Sequence, residues 1–437
     1  MGGNPVLKTA LNEDISSIGS GRPLTDSAGS SRMAIYSQDG LGLGHLRRNI
    51  QICKEFLKQT PEGKSQVLLI ADSPVAPFFQ LPEGVDHIKL PSIRKVSAGE
   101  WQPRLRISTP EVRQLRSTLL YDAFVSYRPD LVLVDHMPGG AQGELMPALE
   151  GLKKARPDCA IVLGLRDILD AQEVITRVWD VEGAYHALRR YYDRVLIYGV
   201  REIFNTARIY WLPVPRGGIH YCGYVVNQDP VKPGGTIRQA LQASGAGAAL
   251  RGGPSGKVVF VSAGGGADGH SLMQTYLGAI RLLGDRADFT TLMALGVNSP
   301  ADKSRELVQE ARGLPVQVVP YVTDSLSQIA AADLVVCMAG YNTLSEVLSL
   351  RKKALIVPRS GPSAEQRMRT RLFAERGLID TIEPESLSPS ELAERLLRDL
   401  ERDDYPAPDE TIDTRGAERA AARLLELIHE RAVAVKA

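Results

Sequence analysis

From Met33 onward, short runs of consecutive apolar residues alternate with longer stretches in which apolar positions recur every three or four residues. The runs are MAIYSQ (33–38), QVLLIA (66–71), HIKLP (87–91), DLVLVDH (130–136), CAIVLGL (159–165) and RVLIYG (194–199). Their length and β-branched content predict strands. Between the first two, HLRRNIQICKEFLKQ carries Leu46, Ile50, Cys53 and Leu57 on one helical face. Strands apolar on both faces and alternating with helices predict a parallel sheet covered by helices. A second series repeats the plan: KVVFVSA (257–263), FTTLMALG (289–296), VQVVPYV (316–322), DLVVCMA (333–339) and KALIVP (353–358). The expected class is α/β, with two doubly wound, Rossmann-like domains at 33–226 and 257–388. Residues 227–256, with two Pro-containing patches and a Gly/Ala/Ser-rich segment, read as a linker enclosing one short helix. Residues 1–32 have no apolar period and read as a disordered tail, and 389–437 as a charged helical segment free to return to the first domain.

Composition narrows the class. The chain has 437 residues, 52 basic against 51 acidic side chains, and a net charge of +1, so no global field steers it onto nucleic acid or an acidic membrane. Cys53, Cys159, Cys222 and Cys337 lie far apart without CxxC or His pairing, as expected for reduced thiols of a cytoplasmic protein. No apolar run approaches the roughly 18 residues of a membrane span.

In doubly wound sheets, ligands sit at the carboxyl ends of strands, which directs attention to the turns there. The first, Asp39-Gly-Leu-Gly42-Leu-Gly44-His45-Leu-Arg-Arg48, has glycines that permit close approach and a following helix with free N–H groups. A dinucleotide fingerprint is the competing reading. The spacing is GxGxG, however, not GxGxxG, and the nearest strand-end acid, Asp72, comes 32 residues after Gly40. His45 at the helix start is a candidate general base, its alternative being a cap of the turn. The second turn, Gly264-Gly265-Gly266, suits a phosphate cradle of backbone N–H groups. Lacking a Walker Lys and Ser/Thr, it argues against triphosphate hydrolysis. In the third, Gly340-Tyr-Asn342-Thr343-Leu-Ser-Glu346, Glu346 either closes a capping box with Thr343 or accepts from a vicinal diol such as ribose.

With these turns placed, the sequence resembles the GT-B glycosyltransferases, nearest the group of the bacterial peptidoglycan lipid-intermediate N-acetylglucosaminyltransferase. The resemblance rests on Gly40–His45, Gly264–Gly266, the run from Tyr321 to Asp333, Gly340 to Glu346, and Glu365-Gln366. It is broad over roughly 257–380 and confined to the first turn in the N-terminal half. It implies two domains facing each other across a cleft, an acceptor on the first, and a nucleotide-sugar donor, a UDP-sugar, on the second. Backbone near Tyr321 and Val322 would hold the base and Glu346 the ribose. Gly264, Gly265, Gly266, Gly340, Asn342 and Thr343 would lie near the diphosphate, with Glu365 and Gln366 against the donor sugar. His45 would be the base of an inverting, metal-independent displacement with no cofactor. The chain departs from the family at Gly266-Ala267-Asp268, where an acid approaches the expected diphosphate. Its Gly44-His45-Leu46-Arg47-Arg48 also resembles the start of nucleotide-sugar hydrolases of the same plan, so hydrolysis, or sugar-nucleotide binding without catalysis, stands as the alternative.

On the acceptor side, Asp135-His136 and Arg166-Asp167 close two strands. Gly42, Gly44, Asp135 and Arg166 are candidates for the phosphate and acceptor cleft, and Asp135 or Asp167 for orienting His45, with Asp167 favoured as catalytic. His136 reads as structural. The basic segment 94–116 reads as a solvated loop and helix face, with a lid over an anionic acceptor or a peripheral contact with the inner face of the membrane as the alternative. Expected partners are therefore a nucleotide-sugar and a small-molecule or lipid-linked acceptor.

Overall fold

The computed structural model describes residues 30–38, 43–97, 100–243, 256–408 and 410–436. The expected tail lies outside them except for Ser30 to Arg32, and Gly42 also lies outside.

The first sheet begins with β1 (Arg32–Ser37), β2 (Gln66–Ala71) and β3 (Val85–Lys89). A separate antiparallel hairpin, β4 (Ile93–Ser97) and β5 (Glu100–Pro103), interrupts it. The sheet resumes with β6 (Leu131–Asp135), β7 (Ala160–Arg166), β8 (Arg194–Tyr198) and β9 (Ile219–Tyr221). The spatial order is β3-β2-β1-β6-β7-β8-β9, all parallel. Every residue of β6 and β8 is buried, which is why these strands read as unbroken apolar runs.

The second sheet contains β10 (Val258–Ser262), β11 (Thr290–Ala294), β12 (Val316–Val319), β13 (Leu334–Cys337), β14 (Ala354–Ile356) and β15 (Asp380–Thr381). Its order, β12-β11-β10-β13-β14-β15, is parallel throughout. In each sheet the chain leaves the first strand to one side and later returns to the other. The crevice opened by that reversal lies between β1 and β6 in one domain and between β10 and β13 in the other.

Seven helices matter for the site and for the joining of the domains: α1 (Gly44–Lys58), α2 (Thr109–Tyr127), α3 (His270–Leu283), α4 (Tyr341–Ser349), α5 (Glu365–Ala374), α6 (Pro389–Glu401) and α7 (Gly416–Lys436). Residues 389–437 divide between the domains: α6 packs on α3 of the second, and α7 packs on α1 of the first. Within 227–256, the helix Gly234–Ala243 leans on the second domain through an Arg238–Asp333 ion pair of 3.0 Å.

Between the domains the packing is built around tyrosines. The Tyr341 hydroxyl of α4 donates to the Tyr198 carbonyl at 3.0 Å and accepts from Val225 N–H at 3.0 Å. Tyr224 packs against both Tyr341 and Phe373, with ring centroids 5.8 Å apart in each pair.

Candidate active site

β1 leads into the first glycine turn and α1, which places His45 in the first helical turn, over the carboxyl end of neighbouring β6. His45 Nδ1 lies 2.9 Å from Asp135 Oδ2. Arg48, one turn along α1, donates to both oxygens of the same carboxylate at 2.7 and 2.9 Å, and Asn49 donates to it at 3.0 Å. Asp135 is wholly buried, yet its carboxyl is held far below the usual range: Arg48 and then His45 outweigh the cost of burying the charge. The Asp135 anion favours the tautomer with its proton on Nδ1, in competition with the Arg48 guanidinium, which lies 2.9 Å from the same nitrogen. The His45 side chain keeps 17% of its surface exposed.

The structure brings Asp135 to His45 and corrects the preference for Asp167. Asp167 is buried and shared between Arg369 of α5 (3.1 Å) and the Tyr224 hydroxyl (2.9 Å), so it pins the two domains together. Arg166 and Glu365 also meet each other across the cleft, at 2.6 Å. Gln366 is buried and its side-chain oxygen accepts from Arg359 N–H at 3.0 Å, fixing the loop before α5. His136 is held at φ 72°, its ring centroid is 5.4 Å from that of His45, and its buried Nδ1 has no hydrogen-bond partner among the described residues. Burial, followed by the charge of Arg166, pushes its pKa well below the ordinary histidine value, so the ring is neutral.

On the second domain, the glycine turn follows β10. Gly264 and Gly266 have φ of 62° and 88°, and a Cβ on Gly266 would come within 2.2 Å of the Leu295 carbonyl oxygen. Only glycine fits there. Thr343 Oγ1 lies 3.8 Å from where a Cβ on Gly264 would stand, so this turn and the start of α4 border one space. Asn342 of α4 donates to the Gly44 carbonyl at 3.0 Å and joins that space to the first glycine turn. Asp268, the residue that departs from the family, pairs with Arg359 at 2.8 Å, which compensates its charge.

The capping alternative for Glu346 fails on register. The α4 helix begins at Tyr341 with Gly340 as N-cap and no side-chain cap, so Thr343 already lies inside it. Glu346 instead accepts from Ser325 Oγ at 3.0 Å and is 5% exposed. Burial raises its pKa, and Arg47 partly offsets this. Glu346 lines a cavity of about 850 Å³ between the domains, walled by Arg47, Gln51 and Phe79 on one side and by Tyr321, Thr323 and Asn342 on the other. That volume lies within the range of about 300–1,000 Å³ that small-molecule sites occupy.

Residues 258–424 match the glycosyltransferase family 28 C-terminal domain. The uncharacterized glycosyltransferase MK0977 of Methanopyrus kandleri is 32% identical over 165 residues, which is 38% of this chain and 43% of that protein. The UDP-N-acetylglucosamine--N-acetylmuramyl-(pentapeptide) pyrophosphoryl-undecaprenol N-acetylglucosamine transferase of Pelobacter propionicus is 36% identical over 99 residues. That is 22% of this chain and 25% of that protein. The chain thus spans less than half the length of these curated relatives. Among solved structures, Acinetobacter baumannii MurG aligns with 90% of this chain and 99% of its own, at a TM-score of 0.55 and 13% identity. The fold is GT-B, and the chain resembles the MurG-like group of GT-B glycosyltransferases.

The matched segment, 258–424, contains the glycine turn and Glu346. The residues that sequence reasoning missed lie where it meets the first domain: Arg48, Tyr224, Tyr341 and Arg369. Arg48 sits under the rings of Tyr198 and Tyr341, at 5.3 and 5.5 Å from their centroids. No sequence signal marks it, because nothing local says that an arginine beside an exposed-type position turns inward. Segment 94–116 is corrected in part. Arg116 is fully buried, forked onto Glu144 by two bonds of 2.6 Å and donating to Gln38 at 2.9 Å. Arg104, Arg106 and Arg113 are exposed, and so are Leu105, Ile107, Leu115 and Leu119.

Proposed function

We propose that this chain is a glycosyltransferase that moves a sugar from a UDP-sugar to an acceptor hydroxyl with inversion and without a metal. His45 Nε2 takes the proton of the acceptor hydroxyl. The oxygen forms a bond to the anomeric carbon from the face opposite the diphosphate, and the bond from that carbon to the phosphate oxygen breaks, its electron pair leaving with UDP. Asp135 stabilises the imidazolium formed on the way. The Gly265 N–H, together with Asn342 and Thr343 at the start of α4, would receive the leaving diphosphate, the N–H groups of Gly264 and Gly266 being held at 3.2 Å by Ser262 Oγ and the Ala263 carbonyl. Glu346 would accept from the ribose hydroxyls.

The observation that carries this reading is Glu346: a buried carboxylate, not used as a cap, lining a cavity that both domains close. The relatives' names point to a lipid-linked acceptor. The exposed Leu105, Ile107, Leu115 and Leu119 beside Arg104, Arg106 and Arg113 support a peripheral membrane contact at an anionic surface. Among the described residues no helix is long and apolar enough to cross a membrane. The test is thermal stabilisation by UDP, GDP, dTDP, ADP and their sugars, run with wild type and Glu346→Ala. A selective shift with UDP ligands, lost in the variant, is expected. No shift with any nucleotide at millimolar concentration refutes the donor site, and release of free sugar from UDP-sugar without an acceptor marks a hydrolase instead.

A further inference from the structure

The cations around the cleft are almost all matched. Arg48 is taken by Asp135 at 2.7 Å, Lys54 by Asp229 at 2.6 Å, and Arg166 by Glu365 at 2.6 Å. Arg369 is taken by Asp167 at 3.1 Å and Arg359 by Asp268 at 2.8 Å. Arg47 is the exception. It lines the 850 Å³ cavity opposite Glu346, and its side chain forms no hydrogen bond or ion pair among the described residues. Arg47 and Arg48 are neighbours in sequence with opposite tasks: one turns inward to hold Asp135, and the other turns into the space between the domains.

We propose that Arg47, a first-domain residue, is the cation that meets the diphosphate of the donor, so that the nucleotide site is completed from both sides of the cleft. The assignment rests on the donor reading above. Arg47 stands one turn of α1 beyond Gly44, and Glu346 one turn of α4 beyond Asn342. The Asn342-to-Gly44 hydrogen bond of 3.0 Å sets those two turns side by side. The cavity that Arg47 lines also takes in Asn342, whose neighbour Thr343 borders the Gly264 turn. Among the described residues, the second domain lines that cavity with no cation, and Arg359, at the loop before α5, is neutralised by Asp268. A diphosphate carries at least two negative charges, and a planar guanidinium can grip two of its oxygens at once. As the bond to the anomeric carbon breaks, charge grows on that diphosphate, so a cation fixed there favours departure. Because Arg47 shares a helix turn with Arg48, and through it with Asp135 and His45, the leaving group and the base are registered by one rigid element.

The experiment is calorimetric titration of the full chain with uridine, UMP and UDP, using wild type, Arg47→Ala, Arg47→Lys and Glu346→Gln. In wild type, affinity should climb from uridine to UDP. Arg47→Ala should weaken UDP tenfold or more while leaving uridine as in wild type, with Arg47→Lys recovering part of the loss. Glu346→Gln should weaken uridine and UDP alike. Equal UDP affinity in wild type and Arg47→Ala overturns the assignment and leaves the donor reading standing. Equal loss of uridine and UDP in Arg47→Ala also overturns it, since that pattern belongs to a structural role. Wild type that binds none of the three at millimolar concentration overturns the donor reading, and this assignment with it.

Discussion

Asp135→Asn tests the centre of the site through stability as well as activity. The substitution keeps the shape and removes the charge. Arg48, with only 2% of its side chain exposed, is left without its carboxylate, and the new amide must face the donors of Arg48 and Asn49. Removing one partner of a buried ion pair costs about 3–5 kcal/mol. For a domain of this size each kcal/mol lowers the melting temperature by about 2–4 °C, so a fall of roughly 10 °C in the first-domain transition is expected. Chemical denaturation followed by tyrosine and tryptophan fluorescence reads the free energy directly. The double variant Asp135→Asn/Arg48→Met should recover part of the loss, because it removes the stranded cation. Since the folded carboxyl titrates below its unfolded value of about 3.9, the wild-type advantage should be flat from pH 8 to pH 5. It should shrink only as pH falls below about 4 towards the folded value. Asp135→Asn within about 1 kcal/mol of wild type, or a double variant worse than the single one, would refute the reasoning.

Further expectations are narrower. Gly266→Ala forces a side chain onto the Leu295 carbonyl at a φ that L-residues rarely adopt, so it should destabilise the second domain by about 2 kcal/mol or more and abolish UDP-induced thermal shifts. Glu346→Gln should do the reverse for stability. Its raised folded pKa means that the wild type loses stability as pH climbs from the unfolded value of about 4.3 through the folded one, so the variant should melt higher at pH 8 and yet gain less from UDP. Sedimentation with phosphatidylglycerol vesicles should fall when Leu115 and Leu119 are both changed to Ser, and phosphatidylcholine vesicles should bind neither form. Equal binding of wild type and variant to phosphatidylglycerol would remove the apolar surface of α2 from the argument.

The core strands were legible because burial on both faces leaves an unbroken apolar signature, as in Leu131 to Val134 and Val258 to Val261. The β4–β5 hairpin mixes Arg94 and Lys95 with Pro103, while β9 and β15 have only three and two residues, and strands so short or so polar leave no period to find. His45 and the glycine turns stood out because backbone demands fix glycine locally. The choice between Asp135 and Asp167 did not, since it depends on β6, not β7, lying beside β1, and strand order is a property of the whole sheet. Glu346 turned on three residues of helix register, Gly340 and not Thr343 being the N-cap, which sequence patterns do not resolve.

The α7 helix lies across α1, with Ala417, Ala420, Ala421, Leu424 and Leu427 buried, and the Gln59 side chain reaches the Glu418 carbonyl 359 positions away. On the ribosome, the first sheet is therefore made early but cannot bury the back of α1 until the whole second domain has emerged. The order of synthesis and the order of completion run opposite to each other. Between those two moments a nascent chain carries an open apolar helix face, the interval in which a chaperone would have something to hold.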